Sequence, residues 1–298
     1  MPELAEVETI RLGLAPRLTG ASITELVARH PRVTRHQDAA LGYSAAVGRT
    51  VTAVVRRGKF LWASLGEDLA VLVHLGMSGQ LLYDTAGHLP PAQSPADRHL
   101  RAVALLRGAD GVPFTLRFVD QRTFGYLSVV SLVATTDGAP GGMGSDAACL
   151  PSSCAHIARD ALDPALDVAQ VAAAITRRRT PIKTLLLDQT IVSGIGNIYA
   201  DEALHGAGLA PHRPGTSLRG DDVARLLAAA RQTLAAAIAV GGTSFDALYV
   251  DADGTPGYFA RQLQVYGRAG EPCRSCGAPL ARDTLGGRST TYCEYCQD

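Results

Sequence analysis

Residues 273–296 read CRSCGAPLARDTLGGRSTTYCEYC, two Cys-x-x-Cys pairs with 16 residues between them. Four thiols at this spacing fit a tetrahedral zinc site. Chance pairing at such spacing is rare, so the segment is expected to fold around one structural Zn2+ held by Cys273, Cys276, Cys293 and Cys296. All four ligands are sulfur and no position is left open for a substrate, which makes the metal structural and not catalytic. GGRSTTY (286–292) between the pairs reads as a hairpin tip, with Arg288 presented near its end. The remaining cysteines, Cys149 and Cys154, read as ordinary thiols, and metal-type usage of the other four places the chain in a reducing compartment, cytoplasm or nucleoid.

Upstream of the cysteines, from about residue 161, the apolar residues recur with a helical period. LDVAQVAAAITRRR (166–179), the segment around PIKTLLLDQT (181–190), NIYADEALHGAG (197–208) and DDVARLLAAARQTLAAAIAV (221–240) read as four helices. The last opens on an acidic first turn and stops at Gly241-Gly242. SGIGN (193–197) stands just before a helix. Glycines there can expose backbone N–H groups to a phosphate, or simply make a tight turn with an Asn cap. GGTSFDALYVDADGTPGYFARQ (241–262) is a long Gly- and Asp-rich loop, of the kind that is usually mobile or functional.

Further upstream the pattern is one of short β-branched runs. ASITELVARH, RTVTAVVRRG, KFLWASL, LAVLVHLGM, LRAVALLRG, PFTLRFVD and FGYLSVVSL are separated by Gly, Pro or Asp, as in an antiparallel sandwich or barrel. Two loops interrupt them, 85–96 and 134–153, and the second reads as an interdomain linker. The fold expected is α+β with two domains: an N-terminal helix on an antiparallel β-sandwich (1–133), a linker (134–160), a helical domain (161–262) and a zinc ribbon (263–298).

The N-terminus, MPELAEVETI, carries a possible chemistry. Removal of Met1 would leave Pro2 with a secondary amine, a good nucleophile toward an aldehyde or a sugar C1′. Glu3 and Glu6 follow at once. The plain alternative is an acidic first helical turn that buries Val7, Ile10 and Leu14.

Composition narrows the class. A length of 298 residues suggests two domains, and 47% hydrophobic residues suffice for sizeable cores. Lys+Arg and Asp+Glu balance at 28 each, which argues against an all-round basic surface but leaves room for a local basic face. Lys59 and Lys183 are the only lysines, marking places where a compact, deprotonatable ammonium matters. The start is not that of a secretory signal. The most apolar long stretch, 226–240, is interrupted by Arg231 and Gln232 and is too short to cross a bilayer.

Taken in order, these parts resemble the bacterial Fpg/Nei family of DNA glycosylases over nearly the whole chain. The matching pieces are MPELAEVET, RRGKFL, HLGMSGQL and DQRTFG, then PIKTLLLDQTIVSGIGNIYADEAL, GGTSF, GYFARQLQVYGRAGEPC and GGRSTTYCEYCQ. The resemblance implies that the helical block is a helix-two-turn-helix domain. It implies a monomeric base-excision-repair enzyme acting on double-stranded DNA with oxidised bases or abasic sites. It also implies that Pro2 is the Schiff-base nucleophile, that Glu3 protonates the deoxyribose, and that Glu6 belongs to the same catalytic turn. Lys59 would assist β-elimination, and Arg288 would bind phosphate and serve δ-elimination. Met77, Arg122 and Phe124 would fill the gap left by a flipped nucleotide. His99, Arg178, Lys183 and Asn197 would contact phosphate or strand. Read from the residues alone, Met77 and Phe124 could equally be core, His99 a surface histidine and 177–179 a solvated helix end.

The sequence departs from the family pattern at Ala5 and Gln121, where proline is usual, and in the length of both long loops. The PEL opening and the GGTSF…GYFARQLQVYGR segment favour the branch that excises oxidised purines such as 8-oxoguanine and formamidopyrimidines. The alternatives are an endonuclease VIII-like enzyme for oxidised pyrimidines, a DNA-binding relic without chemistry, and a generic zinc-ribbon interaction protein.

Overall fold

The computed structural model describes residues 2–38, 40–90, 98–243, 251–253 and 258–298. The chain divides into two units: Met1–His156 with Gly241–Gly257, and Ile157–Val240 with Tyr258–Asp298.

The first unit opens with helix α1 (Leu4–Leu18). Val7, Ile10, Leu14 and Leu18, three or four residues apart, put one face of the helix into the core. Each such side chain contributes about 1.5–3 kcal/mol through burial. At the helix start the Glu6 side chain turns back to accept the Glu3 amide at 2.8 Å, completing a capping box. Ala5 is fully buried inside the first turn, and its carbonyl accepts the Thr9 hydroxyl.

The strands are β1 (Ser22–Ala28), β2 (Ala53–Arg57), β3 (Phe60–Ser64), β4 (Leu69–His74), β5 (Gly79–Asp84), β6 (Leu100–Arg107), β7 (Pro113–Asp120), β8 (Tyr126–Ala134) and β9 (Cys149–Pro151). They form two antiparallel sheets, ordered β1-β6-β7-β5 and β2-β3-β4-β8-β9. Residues of both sheets and of α1 share one core, which includes Leu26, Leu61, Val71, Leu81, Phe118 and Val129. The sandwich is the one expected, with two additions.

Strand β5 (GQLLYD) starts on Gly-Gln and ends on an acid, so only Leu81-Leu82-Tyr83 is left as an apolar run to signal it. Strand β9 lies inside the stretch read as a linker. Residues 149–151 instead pair with β8, Ala134 opposite Cys149 and Leu132 opposite Pro151. The glycines there serve close packing and not flexibility. A Cβ on Gly142 would stand 2.3 Å from the Arg56 carbonyl, and one on Gly141 only 1.8 Å from that of Cys149. Met143 and Arg56 exchange backbone hydrogen bonds of 2.8 and 2.9 Å beside them. Residues up to His156 therefore belong to the first unit, as does Gly241–Gly257.

The second unit holds the four expected helices, α2 (Val168–Thr176), α3 (Ile182–Leu186), α4 (Asn197–Gly206) and α5 (Gly220–Ala239). Its core contains Ile175, Leu186, Tyr199, Leu204, Leu226 and Leu234, all buried. Strands β10 (Ala281–Leu285) and β11 (Arg288–Tyr292) form the expected hairpin. Gly286 and Gly287 make its turn with φ of +54° and +73°, which a two-residue hairpin of this hand requires. Half of the 241–262 loop, and part of the 85–96 loop, lie outside the described residues. Among the described residues no helix is long and apolar enough to cross a membrane.

Candidate functional site

In the first unit, Pro2, Glu3 and Glu6 share the buried start of α1. Glu6 uses both carboxylate oxygens. One accepts the Glu3 amide, and the other accepts the amide and hydroxyl of Thr243, each at 2.8 Å. Gly242 (φ +85°) packs so close that a Cβ there would approach the same oxygen to 3.1 Å. Two residues further along the helix, the buried Glu8 receives Nε of Arg56 at 2.7 Å and the guanidinium of Arg11. Arg56 is fully buried on β2, and its Nη1 reaches the Gly58 carbonyl. Lys59 follows at once, at the tight turn set by Gly58 (φ +56°), and is itself mostly buried. A chain of contacts thus runs from the helix that follows Pro2, through Glu8 and Arg56, to the turn bearing Lys59. Neither Glu8 nor Arg56 stood out in the sequence, where each looks like one more charge beside an apolar run.

His74 was also without an assigned role, although it opens HLGMSGQL. It sits opposite Phe60 in the β3–β4 ladder and stacks on Tyr126 at 5.5 Å. Burial first, then the positive charges of Lys59 and Arg35 and the neighbouring His36, push its pKa down to about 4. The imidazole is neutral at physiological pH, and Lys59 is a charge felt at its ring.

The turn between β7 and β8 presents Arg122 and Phe124. Both are exposed, with the guanidinium 5.5 Å from the ring centroid. An exposed aromatic under a guanidinium is not core, so the burial reading of Phe124 does not hold. Met77 is half-buried. The turn is held from beneath by Asp120, which is fully buried. Its carboxylate accepts the Ser78 hydroxyl (2.5 Å) and the amides of Arg122 (3.1 Å) and Gly125 (2.7 Å). Arg35 donates to the carbonyls of Phe124 and Gly125 from the other side. Thr123 takes a positive φ of 56°, a strained conformation that these anchors impose. His99 joins the same support, since its carbonyl accepts the Asp120 amide at 2.9 Å. Its ring lies between Arg98 and Arg101, and desolvation together with these two charges lowers its pKa.

In the second unit the expected strand contacts divide. Arg178 is exposed and paired with Asp188 at 3.1 Å. Lys183 is fully buried, with Nζ 2.7 Å from Asp201 and 2.9 Å from both the Ser289 carbonyl and the Thr290 hydroxyl. Three partners account for its three protons, so a direct DNA contact is replaced by a fastening role. Asn197 donates to the same Ser289 carbonyl at 2.9 Å. Gly196, not Asn197, is the N-cap of α4.

The SGIGN turn is braced internally. Gln189 accepts the Gly194 amide and donates to the Ile195 carbonyl, while the Ser193 amide goes to the Arg159 carbonyl. The Gly194 N–H, one of those expected to face a phosphate, is therefore used inside the fold, as is that of Ser193.

Arg288, exposed at the hairpin tip, precedes this fastened stretch directly. Asn197, Asp201 and His205 recur every four residues, so one face of α4 addresses the ribbon. Asp201 accepts the Thr291 amide at 3.0 Å. Its pKa is pushed up to about 6 by burial, against the opposing pull of Lys183. Glu202 accepts three successive amides, of Gln264, Val265 and Tyr266, where the chain enters the ribbon.

The Sγ atoms of Cys273, Cys276, Cys293 and Cys296 all lie within 4.8 Å of one another. Two of the separations are 3.4 and 3.9 Å. Four thiolates about 2.3 Å from one tetrahedral ion stand about 3.8 Å apart. The residues fit one structural zinc ion.

Comparison with known proteins agrees with this architecture. Residues 1–127 match the formamidopyrimidine-DNA glycosylase N-terminal domain, 157–248 the formamidopyrimidine-DNA glycosylase H2TH domain, and 270–298 the zinc finger found in FPG and IleRS. The chain is 51% identical to a formamidopyrimidine-DNA glycosylase of Salinispora arenicola over 100% of its own length and 96% of the relative. It is 50% identical to that of Thermobifida fusca, covering 100% and 97%. Among solved structures it is similar to the MutM (Fpg) protein of Thermus thermophilus, with 35% identity, TM-score 0.78 and 99% and 98% coverage. It is also similar to a Lactococcus lactis Fpg mutant complexed with Fapy-dG-containing DNA, with 27% identity, TM-score 0.80 and full coverage of both chains.

Proposed function

The chain belongs to the formamidopyrimidine-DNA glycosylase family, and we propose that it is a bifunctional glycosylase and abasic-site lyase that removes oxidised purines from double-stranded DNA in base excision repair. The observation that carries this reading is the start of α1, where Glu3 is buried directly after Pro2 and its amide is fixed by Glu6. A buried carboxyl group beside an amine is suited to move a proton onto a sugar that is losing its base.

Once Met1 is removed, the Pro2 nitrogen attacks C1′ of the extruded nucleotide. The C1′–base bond breaks, and Glu3 gives its proton to the deoxyribose as the ring opens. The resulting iminium at C1′ is the electron sink for loss of a C2′ proton and expulsion of the 3′ phosphate. A second elimination then releases the 5′ phosphate. Lys59 assists the first elimination and Arg288 the second. Arg122 and Phe124, held out by Asp120, fill the vacated stack with Met77. Arg178, His99 and Arg288 meet phosphates. The zinc closes the ribbon and keeps the hairpin folded. We assign the protein to the cytoplasm, on the nucleoid, as a monomer, since its substrate is the chromosome.

The test is borohydride trapping with duplexes containing 8-oxoguanine, an oxidised pyrimidine or an abasic site, alongside the intact mass of the protein. A covalent adduct at Pro2 with 8-oxoguanine opposite cytosine is expected. Trapping with the pyrimidine lesion alone would assign the chain to the endonuclease VIII-like branch. No adduct from a chain that lacks Met1 and binds DNA would leave a relic without chemistry.

A further inference from the structure

Helix α4 meets the ribbon at three points spaced four residues apart. The first two, Asn197 and Asp201, hold the backbone of β11. The third, His205, stands in the last turn of the helix with Nε2 3.7 Å from Sγ of Cys273. The DNA chemistry makes no use of this histidine.

A zinc-bound cysteine is a thiolate and has no proton to give. The contact is attractive only when Nε2 carries a hydrogen. The Ser275 amide donates to the same sulfur at 3.4 Å. Cys273 therefore receives one donor from its own knuckle and one from a helix outside the ribbon. Four thiolates around a divalent ion carry two surplus negative charges on sulfur. An N–H donor relieves that charge, orients the ligand and disfavours its protonation.

We infer that His205 is an outer-shell donor of the zinc site, so that metal retention by the ribbon depends on a side chain of α4. Its role is to position and stabilise the Cys273 thiolate, and the ring is not itself a ligand. Loss of such a partner typically weakens metal binding by about 10- to 100-fold.

The experiment uses the full-length protein and two metals. Zinc is drawn off with a chromophoric chelator, and cobalt(II) is loaded in its place for absorption spectroscopy. His205→Phe is expected to lower apparent zinc affinity by about tenfold or more and to move the sulfur-to-cobalt charge-transfer band to lower energy. The ligand-field bands should keep the pattern of four sulfurs. His205→Gln retains an N–H donor and should lie near the wild type. If His205→Phe fails to fold by circular dichroism, His205→Ala supplies the same comparison. Unchanged affinity and spectrum in a folded variant would overturn the assignment. A wild-type spectrum of three sulfurs and one nitrogen would overturn it differently, by making His205 a ligand. The readout is metal retention, so a failure of the proposed DNA chemistry would leave it standing.

Discussion

Glu6 holds Thr243 by two hydrogen bonds of 2.8 Å to a single carboxylate oxygen, leaving the other oxygen for the Glu3 amide. One side chain thus ties the turn of the proposed nucleophile to the start of the 241–262 loop. Glu6→Gln keeps the shape but has one acceptor oxygen in place of two, so one of these buried donors loses its partner. That costs about 1–3 kcal/mol, and excision of 8-oxoguanine should fall about tenfold or more. Thr243→Val removes only the hydroxyl bond and should cost less. In a double-mutant cycle the two losses should be non-additive. Single-turnover excision rates check this, and simple additivity would mean that the residues act independently.

Glu3 is only 2% exposed, and its backbone is pinned by the capping box. The box uses both its amide and its carboxyl group, which accepts the Glu6 amide, and a glutamine there keeps an acceptor oxygen for that bond. Glu3→Gln should fold normally and lose base excision, while retaining strand cleavage at a preformed abasic site, where no base has to leave. Parallel assays on 8-oxoguanine and abasic duplexes decide the matter. If both activities persist at wild-type rates, protonation falls to another group.

The periodic elements and the metal ligands were legible because each is a local pattern. A helix repeats its apolar face, and Cys-x-x-Cys announces itself. Residues whose meaning depends on a distant partner were not. Lys183 reads as a strand contact, yet its charge is met by Asp201, 18 positions on. Glu8 and Arg56 are 48 residues apart and pair only when α1 packs on β2. Asp120 looks like a strand-end acid until its three donors converge on it. Strand β9 was hidden for the same reason. Gly141 and Gly142 in the stretch before it signal flexibility by composition, whereas here they admit the backbones of Cys149 and Arg56.

The Lys183–Asp201 pair should show a pH signature and a large mutational cost. Asp201 has a pKa raised from 3.8 to about 6, so the native state holds that proton more tightly than the unfolded chain. The stability this confers is present in full below pH 3.8 and is lost as pH rises through about 6. Asp201→Asn should remove that slope from the unfolding free energy between about pH 4 and 6. It also leaves the Lys183 ammonium buried without its counter-charge, at a cost of about 3–5 kcal/mol at neutral pH. Lys183→Met combined with Asp201→Asn should recover much of the loss. Denaturant unfolding at several pH values tests both points, and a slope that survives in Asp201→Asn would assign it to another group.

Asp120 and Phe124 separate support from contact. Phe124 is 44% exposed, so Phe124→Ala should leave stability within about 0.5 kcal/mol of the wild type. Excision should nevertheless drop, because the wedge for the opened stack is gone. Asp120→Asn leaves Phe124 in place but removes an acceptor from the Arg122 or Gly125 amide, so stability and excision should both fall. Thermal melts combined with excision assays distinguish the two. Equal effects on stability would show that the turn is not held by Asp120.

Arg288 follows the two-glycine turn and precedes Ser289, whose carbonyl is held by both Lys183 and Asn197. The arginine is exposed, but its backbone is fixed from the α3 and α4 side. Arg288→Ala should weaken binding to every duplex alike, and the slope of log affinity against log salt should shrink by about 0.9, as loss of one phosphate contact requires. Asn197→Ala removes one of the two donors to that carbonyl without removing the charge. It should weaken binding less and leave the salt slope intact, since the guanidinium is still present. Titrations at several salt concentrations measure both quantities. An unchanged slope in Arg288→Ala would take this arginine off the DNA, and a reduced slope in Asn197→Ala would place Asn197 itself on a phosphate.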